Sequence, residues 1–287
     1  MRVEVNGARL WFDVDGSALA ADGAAMRERP TVVLLHGGPG SFDHSYFKPD
    51  FARLAGVAQV VYLDLPGHGR SDWGDPAQWS FELCADAVHE FCDTLGIEKP
   101  VVLGHSLGGM IALVYGIRHP GHAGGLVIQS IFGRFDLDRT VESFRRRGGG
   151  EIAEVARRAY GTDERVPPEE FAPCWALFGS WVPGDRERER TVANAALNPP
   201  GLALLREFDV LAEVHTIDSP TLVCGGELDP MAPPELLREL YEALPAANAR
   251  LEVIEAAGHF TWRDAPDRYW PVLEEFVRTV TRIGQTS

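Results

Sequence analysis

The feature that most constrains this chain is an apolar run that turns abruptly into a helix-like run. Residues 101–103 read Val-Val-Leu, residues 110–115 read Met-Ile-Ala-Leu-Val-Tyr, and Gly-His-Ser-Leu-Gly stands between them. A strand, a sharp turn and a helix in that order leave Ser106 at the apex in a strained conformation. Gly104 and Gly108 avoid collisions that a β-carbon would cause there. We therefore predict an exposed nucleophile at Ser106; the alternative is only a small residue in a tight turn.

Apolar runs of strand length recur along the chain and alternate with helical patterns, which predicts an α/β fold with a mostly parallel sheet. Two short alternating segments around Asn6-Gly7 predict an antiparallel hairpin at one edge of this sheet. Helices are predicted over residues 45–54, 80–95, 233–244 and 266–280, and the second has Ser80 as its N-cap. The predicted strands are residues 2–5, 8–14, 31–35, 59–63, 101–103, 125–129, 220–224 and 250–254.

The strand pattern stops in the middle of the chain and resumes later. Residues 131–214 show charged helical patterns, a triple glycine and two Pro-Pro pairs, without buried strand runs. We therefore predict a core in two parts, residues 1–130 and 215–287, with a helical cap inserted at residues 131–214.

Polar residues follow several predicted strands, and the carboxyl ends of parallel strands are where functional groups gather. Ser106, Asp229 and His259 follow three of them in the order nucleophile, acid, base. A serine hydroxyl needs a base to take its proton, and that base needs a carboxylate to orient it. The alternative for His259 is a surface-loop histidine; the competitors for the acid role are Glu227, Asp264 and Asp136.

A glycine-rich loop, His-Gly-Gly-Pro-Gly at residues 36–40, follows another strand. We predict that the N–H groups of Gly38 and Leu107 hold the developing oxyanion, each worth about 3 kcal/mol of barrier. An ordinary strand-to-helix turn is the alternative. Gly37, His44 and His105 are expected to line the substrate cavity, although each histidine could be satisfied locally. His36 is expected to be structural.

These motifs together resemble the α/β-hydrolase superfamily over the whole chain except the helical insert. The resemblance implies an eight-stranded central sheet with the insert capping Ser106. A serine nucleophile argues against the haloalkane dehalogenase and epoxide hydrolase branches, whose nucleophile is a carboxylate. The matching segments are residues 36–40, 64–71, 104–109, 226–229 and 258–259.

The His-Gly-Gly-Pro-Gly loop is similar to that of the proline iminopeptidase branch. That branch usually carries tryptophan after its nucleophile and an acidic residue after its triad acid, where this chain has Leu107 and Pro230. The elbow itself resembles that of esterases, lactonases and carbon–carbon bond hydrolases. Acidic cap residues could instead hold a substrate amine, but such charge runs are usually solvated helix faces. They are Glu169, Glu170, Asp185, Glu187 and Glu189.

Aromatic residues in the predicted cap bear on specificity. Phe171, Trp175 and Phe178 fall at i, i+4 and i+7, one face of a helix, and Trp181 is nearby. They either pack the cap onto the core or roof an apolar pocket. In the second case Trp175, Phe178 and Trp181 contact a medium-sized apolar or aromatic ester, amide or lactone.

Composition excludes several classes. The net charge of -15 disfavours nucleic acid and anionic lipid. No apolar run is long enough to span a membrane, and no signal peptide is evident. The four cysteines lack a C-x-x-C pair, which indicates buried thiols in a reducing cytoplasm. We expect no cofactor and no metal. The leading hypothesis is a serine hydrolase of a small molecule; the alternatives are a proline iminopeptidase-type aminopeptidase, a carbon–carbon bond hydrolase and a non-catalytic ligand-binding protein.

Overall fold

An eight-stranded, mostly parallel sheet forms the centre of the computed structural model, which describes residues 1–48, 50–180 and 190–284. The strand order is β1-β2-β6-β5-β7-β8-β9-β10. Among the described strands of this sheet, the antiparallel pairs are β1–β2 and β2–β6, so the predicted edge hairpin is confirmed. The strands are β1 (Arg2–Val5), β2 (Ala8–Asp15), β3 (Leu19–Asp22), β4 (Ala25–Glu28), β5 (Thr31–Leu35), β6 (Gln59–Leu63), β7 (Val101–His105), β8 (Gly125–Gln129), β9 (Thr221–Gly226) and β10 (Ala249–Ile254).

Helices cover both faces of this sheet, which is why β7 and β8 are buried over their whole length and read as continuous apolar runs. Helix α1 begins after Ser80, whose side chain accepts the Leu83 N–H as predicted. The described helices are α1 (Phe81–Thr94), α2 (Leu107–Arg118), α3 (Leu137–Gly148), α4 (Gly150–Gly161), α5 (Pro168–Trp175), α6 (Asn198–Glu207), α7 (Pro234–Ala243), α8 (Thr261–Asp264) and α9 (Pro266–Gly284). Within the described ranges, no helix is long and apolar enough to cross a bilayer.

Two segments differ from expectation. The polar link before β5 contains β3 and β4, which pair with each other as a separate antiparallel hairpin. The helix predicted over residues 45–54 is wrong: short 3₁₀ turns form instead at His44–Tyr46 and Asp50–Gly56. The Asp43 carboxylate caps the first turn through the Ser45 N–H, and the proline at position 49 has no N–H to continue a helical ladder.

The described chain between β8 and β9 contributes α3, α4, α5 and α6, which are joined by loops and turns. It contacts the loops at the carboxyl ends of the strands. The Asn194 N–H donates to the Gly40 carbonyl at 2.8 Å, and the Asn194 side-chain amide donates to the Gly67 carbonyl at 2.9 Å. All four cysteines are buried free thiols, as predicted.

Candidate active site

Ser106 stands between β7 and α2 with φ 55° and ψ −122°, a conformation that L-residues rarely adopt. Two close approaches force the chain into this turn. A β-carbon on Gly104 would lie 2.0 Å from the Gly108 carbonyl oxygen, and one on Gly108 would lie 2.0 Å from the Leu35 carbonyl oxygen. A larger residue at Gly104 would push α2 away from β7, and one at Gly108 would push α2 away from the end of β5. The predicted sharp turn at Ser106 is therefore present.

His259 and Asp229 form a buried pair. His259 Nδ1 lies 2.8 Å from Asp229 Oδ2, and Asp229 Oδ1 accepts the N–H groups of Met231 and Ala232 at 2.9 and 3.2 Å. With the carboxylate as acceptor, Nδ1 carries the proton and Nε2 keeps a lone pair for a substrate or nucleophile proton.

The competing carboxylates are engaged elsewhere. Glu227 is exposed and accepts the Ala256 N–H, while Asp136 caps α3 through the Arg139 N–H. Asp264 accepts the N–H groups of Ser180 and Gly258, which fixes the backbone beside His259 rather than its ring. Asp229 is therefore the carboxylate that contacts the His259 ring.

The backbone of His259 is held from three directions. Its N–H donates to the Phe178 carbonyl at 2.8 Å. Its carbonyl accepts the Ser130 hydroxyl at 3.0 Å and lies 2.9 Å from His105 Nε2. These bonds join the loop that carries His259 to the ends of β7 and β8 and to the helical segment between β8 and β9.

A buried chain of hydrogen bonds connects this loop to the glycine-rich loop. The Tyr46 hydroxyl accepts the Gly37 N–H at 2.8 Å and lies 2.9 Å from His105 Nδ1. The hydroxyl donates to Nδ1, so His105 Nε2–H donates to the His259 carbonyl. Burial, and then the nearby His259, set the pKa of His105 well below its ordinary value, so the ring stays neutral and keeps this tautomer. Sequence reasoning missed Tyr46, because a lone aromatic after a loop carries no pattern.

Two further neutral histidines support the glycine-rich loop from beneath. His68 Nε2 accepts the Gly40 N–H at 2.9 Å, and its Nδ1 donates to the Pro66 carbonyl at 3.0 Å. His36 Nδ1 donates to the Gly37 carbonyl at 2.6 Å, in the structural role expected for it. Burial, with the adjacent His36, lowers the pKa of His68 to about 3. The loop is therefore held by neutral imidazoles at physiological pH.

A cavity of about 300 Å³ opens above Ser106. His259, His105, Gly37, Gly38 and Leu107 line it with the serine. Leu107 is the first residue of α2, a position whose N–H has no intrahelical acceptor and is available to a ligand oxygen. Apolar side chains form most of the remaining wall: Met110, Ile131, Tyr160, Phe171, Trp175, Phe178, Leu202, Leu205, Met231 and Phe260.

The residues predicted to bind substrate divide into three groups. Trp175 and Phe178 line the cavity, and the Phe178 ring also packs edge-on against His259 at 5.1 Å. Trp181 lies outside the described residues. His44 is a correction: its Nδ1 lies 2.7 Å from Asp64, and its ring packs on Trp11 at 4.1 Å, away from the cavity. The buried Asp64 carboxylate holds His44 more strongly than an apolar cavity wall could.

Among the residues that the structure describes, one acidic and one basic side chain line the cavity. Glu164 and Arg165 line it beside the apolar wall. Arg158 Nε donates to both Glu164 oxygens at 3.1 and 3.0 Å, and these bonds lower the pKa of Glu164. The Glu164 carboxylate is therefore already paired with a cation of the protein.

Potential metal ligands gather at two places in the described ranges, both away from Ser106. The first, Asp43, His44 and Asp64, is buried and internally satisfied: His44 bonds Asp64, and Arg70 pairs with Asp43 at 3.1 Å. The second lies at the surface, at His89, Asp93 and His122.

Comparisons with known proteins agree with this architecture. The chain is 27% identical over 278 residues to a proline iminopeptidase of Thermoplasma volcanium, covering 88% of this chain and 90% of that protein. It is 24% identical over 259 residues to a pimeloyl-acyl-carrier-protein methyl ester esterase of Photobacterium profundum, covering 86% and 94%. The proline iminopeptidase structure of Mycobacterium smegmatis superposes with a TM-score of 0.76 at 21% identity over 99% of both chains. A family model for the alpha/beta hydrolase fold matches residues 30–266. The chain therefore belongs to the α/β-hydrolase fold family.

Proposed function

We propose that this protein is a serine hydrolase that cleaves an ester, lactone or related acyl bond of a small apolar substrate through an acyl-enzyme. One observation carries the proposal: the strained Ser106 and His259, whose ring is paired with the buried Asp229, line the same cavity. A binding protein gains nothing from strain at a serine or from a carboxylate that fixes a histidine tautomer.

The proposed reaction begins with attack of Ser106 Oγ on the acyl carbon while His259 Nε2 takes the hydroxyl proton. Asp229 holds the resulting imidazolium. The N–H groups of Gly38 and Leu107 stabilise the negative oxygen of the tetrahedral intermediate. His259 then protonates the leaving alkoxide, and the C–O bond breaks to give the acyl-enzyme. Water, deprotonated by His259, releases the acid and restores Ser106.

The lining of the cavity favours a substrate with an uncharged acyl group. Its wall is mainly apolar, and the Glu164 carboxylate beside it is paired with Arg158. An aminopeptidase needs a carboxylate that is free to hold the substrate's amine. Pro230, which follows Asp229, does not supply one. Ester chemistry is therefore favoured over the iminopeptidase activity named for a relative.

A fluorophosphonate probe tests the nucleophile directly. Wild-type protein is expected to form one covalent adduct, located on Ser106 by mass spectrometry. Ser106→Ala should lose the adduct, and Ser17→Ala, which removes a loop serine remote from the cavity, should keep it. Native, folded protein that does not react at Ser106 would contradict the proposal and favour a ligand-binding protein.

A substrate panel then separates the acyl chemistries. Aryl esters of graded chain length, lactones, a prolyl anilide and a vinylogous 1,5-diketone would be compared with wild type and Ser106→Ala. We expect the highest kcat/KM on esters of medium chain length. Faster turnover of the anilide would establish an aminopeptidase, and faster turnover of the diketone a carbon–carbon bond hydrolase.

A further inference from the structure

A second cluster of functional side chains lies where the C-terminal half of α1 faces the turn after α2. His89 Nδ1 is 3.7 Å from one oxygen of Asp93, and His122 Nε2 is 3.1 Å from the other. The three ligand atoms all lie within 4.8 Å of one another. Ligands about 2.0–2.1 Å from a tetrahedral Zn²⁺ are separated by about 3.3 Å. The spacing is therefore close to that of a metal site.

We propose that His89, Asp93 and His122 bind a divalent transition-metal ion, and that Zn²⁺ is the preferred ion. The residues come from two separate stretches of chain, so the ion would fasten α1 to the turn that leads into β8. None of the three lines the cavity above Ser106. The proposal is therefore independent of the proposed hydrolase activity.

Neighbouring side chains orient both imidazoles. The Tyr115 hydroxyl hydrogen-bonds His122 Nδ1, which leaves Nε2 as the ligating nitrogen. The His119 ring stacks on His89 with centroids 4.0 Å apart and planes 18° from parallel. Hydrogen bonds to the second nitrogen of a ligating histidine typically fix its tautomer and ring orientation in metal sites. Tyr115 supplies this hydrogen bond for His122, while the His119 ring supports His89 by stacking.

The chemistry and exposure of the cluster favour Zn²⁺ over Mg²⁺ or Ca²⁺. Two imidazoles and one carboxylate suit zinc, copper and nickel, whereas the alkaline-earth ions prefer oxygen ligands. The side chains of His89, Asp93 and His122 are 28, 53 and 17% exposed, so an ion reaches them from solvent. The net charge of -15 attracts cations to the surface.

Isothermal titration of untagged, metal-free protein with ZnCl₂ tests the site. We expect one Zn²⁺ per chain, no heat with MgCl₂, and affinity at least tenfold weaker in His89→Ala and His122→Ala. Asp93→Asn, which keeps the side-chain shape, should show the same loss if an alanine variant fails to fold. His215→Ala removes a surface histidine elsewhere and should bind as wild type does. A hundredfold excess of Zn²⁺ over its Kd should raise the melting temperature by about 5 °C.

Two results would overturn the proposal. Zn²⁺ affinity unchanged in His89→Ala, His122→Ala and Asp93→Asn would place any bound ion elsewhere. Loss of binding in His259→Ala would place it on the His259–Asp229 pair. Retention of both stoichiometry and affinity in His259→Ala, with loss in the cluster variants, is the expected pattern.

Discussion

Removal of one buried hydroxyl, in Tyr46→Phe, tests whether the glycine-rich loop and the proposed base depend on each other. The hydroxyl accepts the Gly37 N–H and contacts His105 Nδ1, and His105 in turn holds the His259 carbonyl. The ring of Tyr46 is 1% exposed and remains in the variant. The substitution therefore deletes hydrogen bonds without opening a large cavity.

The expected losses of stability and of kcat follow from those hydrogen bonds. A buried donor or acceptor left without a partner costs about 1–3 kcal/mol, so the two orphaned groups together lower the free energy of unfolding by about 3 kcal/mol after partial relaxation. The Gly37 N–H adjoins Gly38, a proposed oxyanion donor. One oxyanion donor lowers the activation free energy by about 3 kcal/mol. If the shift of the Gly38 N–H removes half of that stabilisation, kcat falls about tenfold. KM should change little, because the Tyr46 ring, which lines the cavity, remains in the variant.

Urea unfolding and ester hydrolysis measured on the same preparations check both numbers. Tyr269→Phe is the matched control, because it also removes a buried hydroxyl, one that donates to Gln129 Oε1 at 2.7 Å. The control should lose stability but keep kcat within about twofold. If Tyr46→Phe loses the same stability and keeps wild-type kcat, the hydrogen-bond chain is only structural and the reasoning fails.

Three further predictions use other contacts. In Gly201→Ala the new β-carbon would lie 2.3 Å from Pro39 Cβ, so kcat/KM for esters should fall at least tenfold. In the control Gly150→Ala the new β-carbon meets no atom closer than 3.7 Å, so kcat/KM should stay unchanged. Asp229→Asn should keep the circular dichroism spectrum and lower kcat about 10⁴-fold, because an amide cannot fix the required His259 tautomer; a smaller loss, under tenfold, would argue against the acid role. Burial depresses the pKa of His68 to about 3, so on acidification this imidazole binds a proton in the unfolded chain before it does so in the folded protein. The free energy of unfolding should therefore fall by up to about 1.4 kcal/mol per pH unit below about pH 6.5. Urea midpoints that rise on acidification would contradict this.

The central strands could be predicted because a parallel strand covered by helices is buried on both faces and must be continuously apolar. Strand β5 is an example: residues Val32 to Leu35 are fully buried, and the loop that follows carries the glycines. The same logic places the residues after each strand at one edge of the sheet. That is why Ser106, Asp229 and His259, which are far apart in sequence, can be grouped from the sequence alone.

The errors occurred where hydrogen bonds rather than burial determine the backbone. Strand β4 is exposed at every position, so its sequence carries no alternation, and only pairing with β3 makes it a strand. The 3₁₀ turn at His44–Tyr46 depends on the Asp43 carboxylate. Hydrophobic periodicity does not reveal such a contact, so the apolar residues of this segment predict a helix instead.

Positioning residues were also invisible in the sequence. Tyr46 contacts His105 across 59 residues, and neither side chain belongs to a spacing motif for that contact. His44, two residues earlier, is the residue of this turn that is predicted to line the cavity. The turn orients the two side chains differently: His44 contacts Asp64, whereas Tyr46 lines the cavity.

The segment between β8 and β9 does more than line the cavity, because its backbone is in direct contact with the glycine-rich loop. Asn194 bonds the Gly40 carbonyl through its N–H, and a β-carbon on Gly40 would lie 2.2 Å from the Asn194 carbonyl oxygen. Gly201 meets Pro39 in the same way from α6. A sequence change in this segment therefore moves the proposed oxyanion donor along with the cavity wall. Substitutions there should alter kcat together with substrate preference, whereas a lid attached only by flexible linkers would alter preference alone.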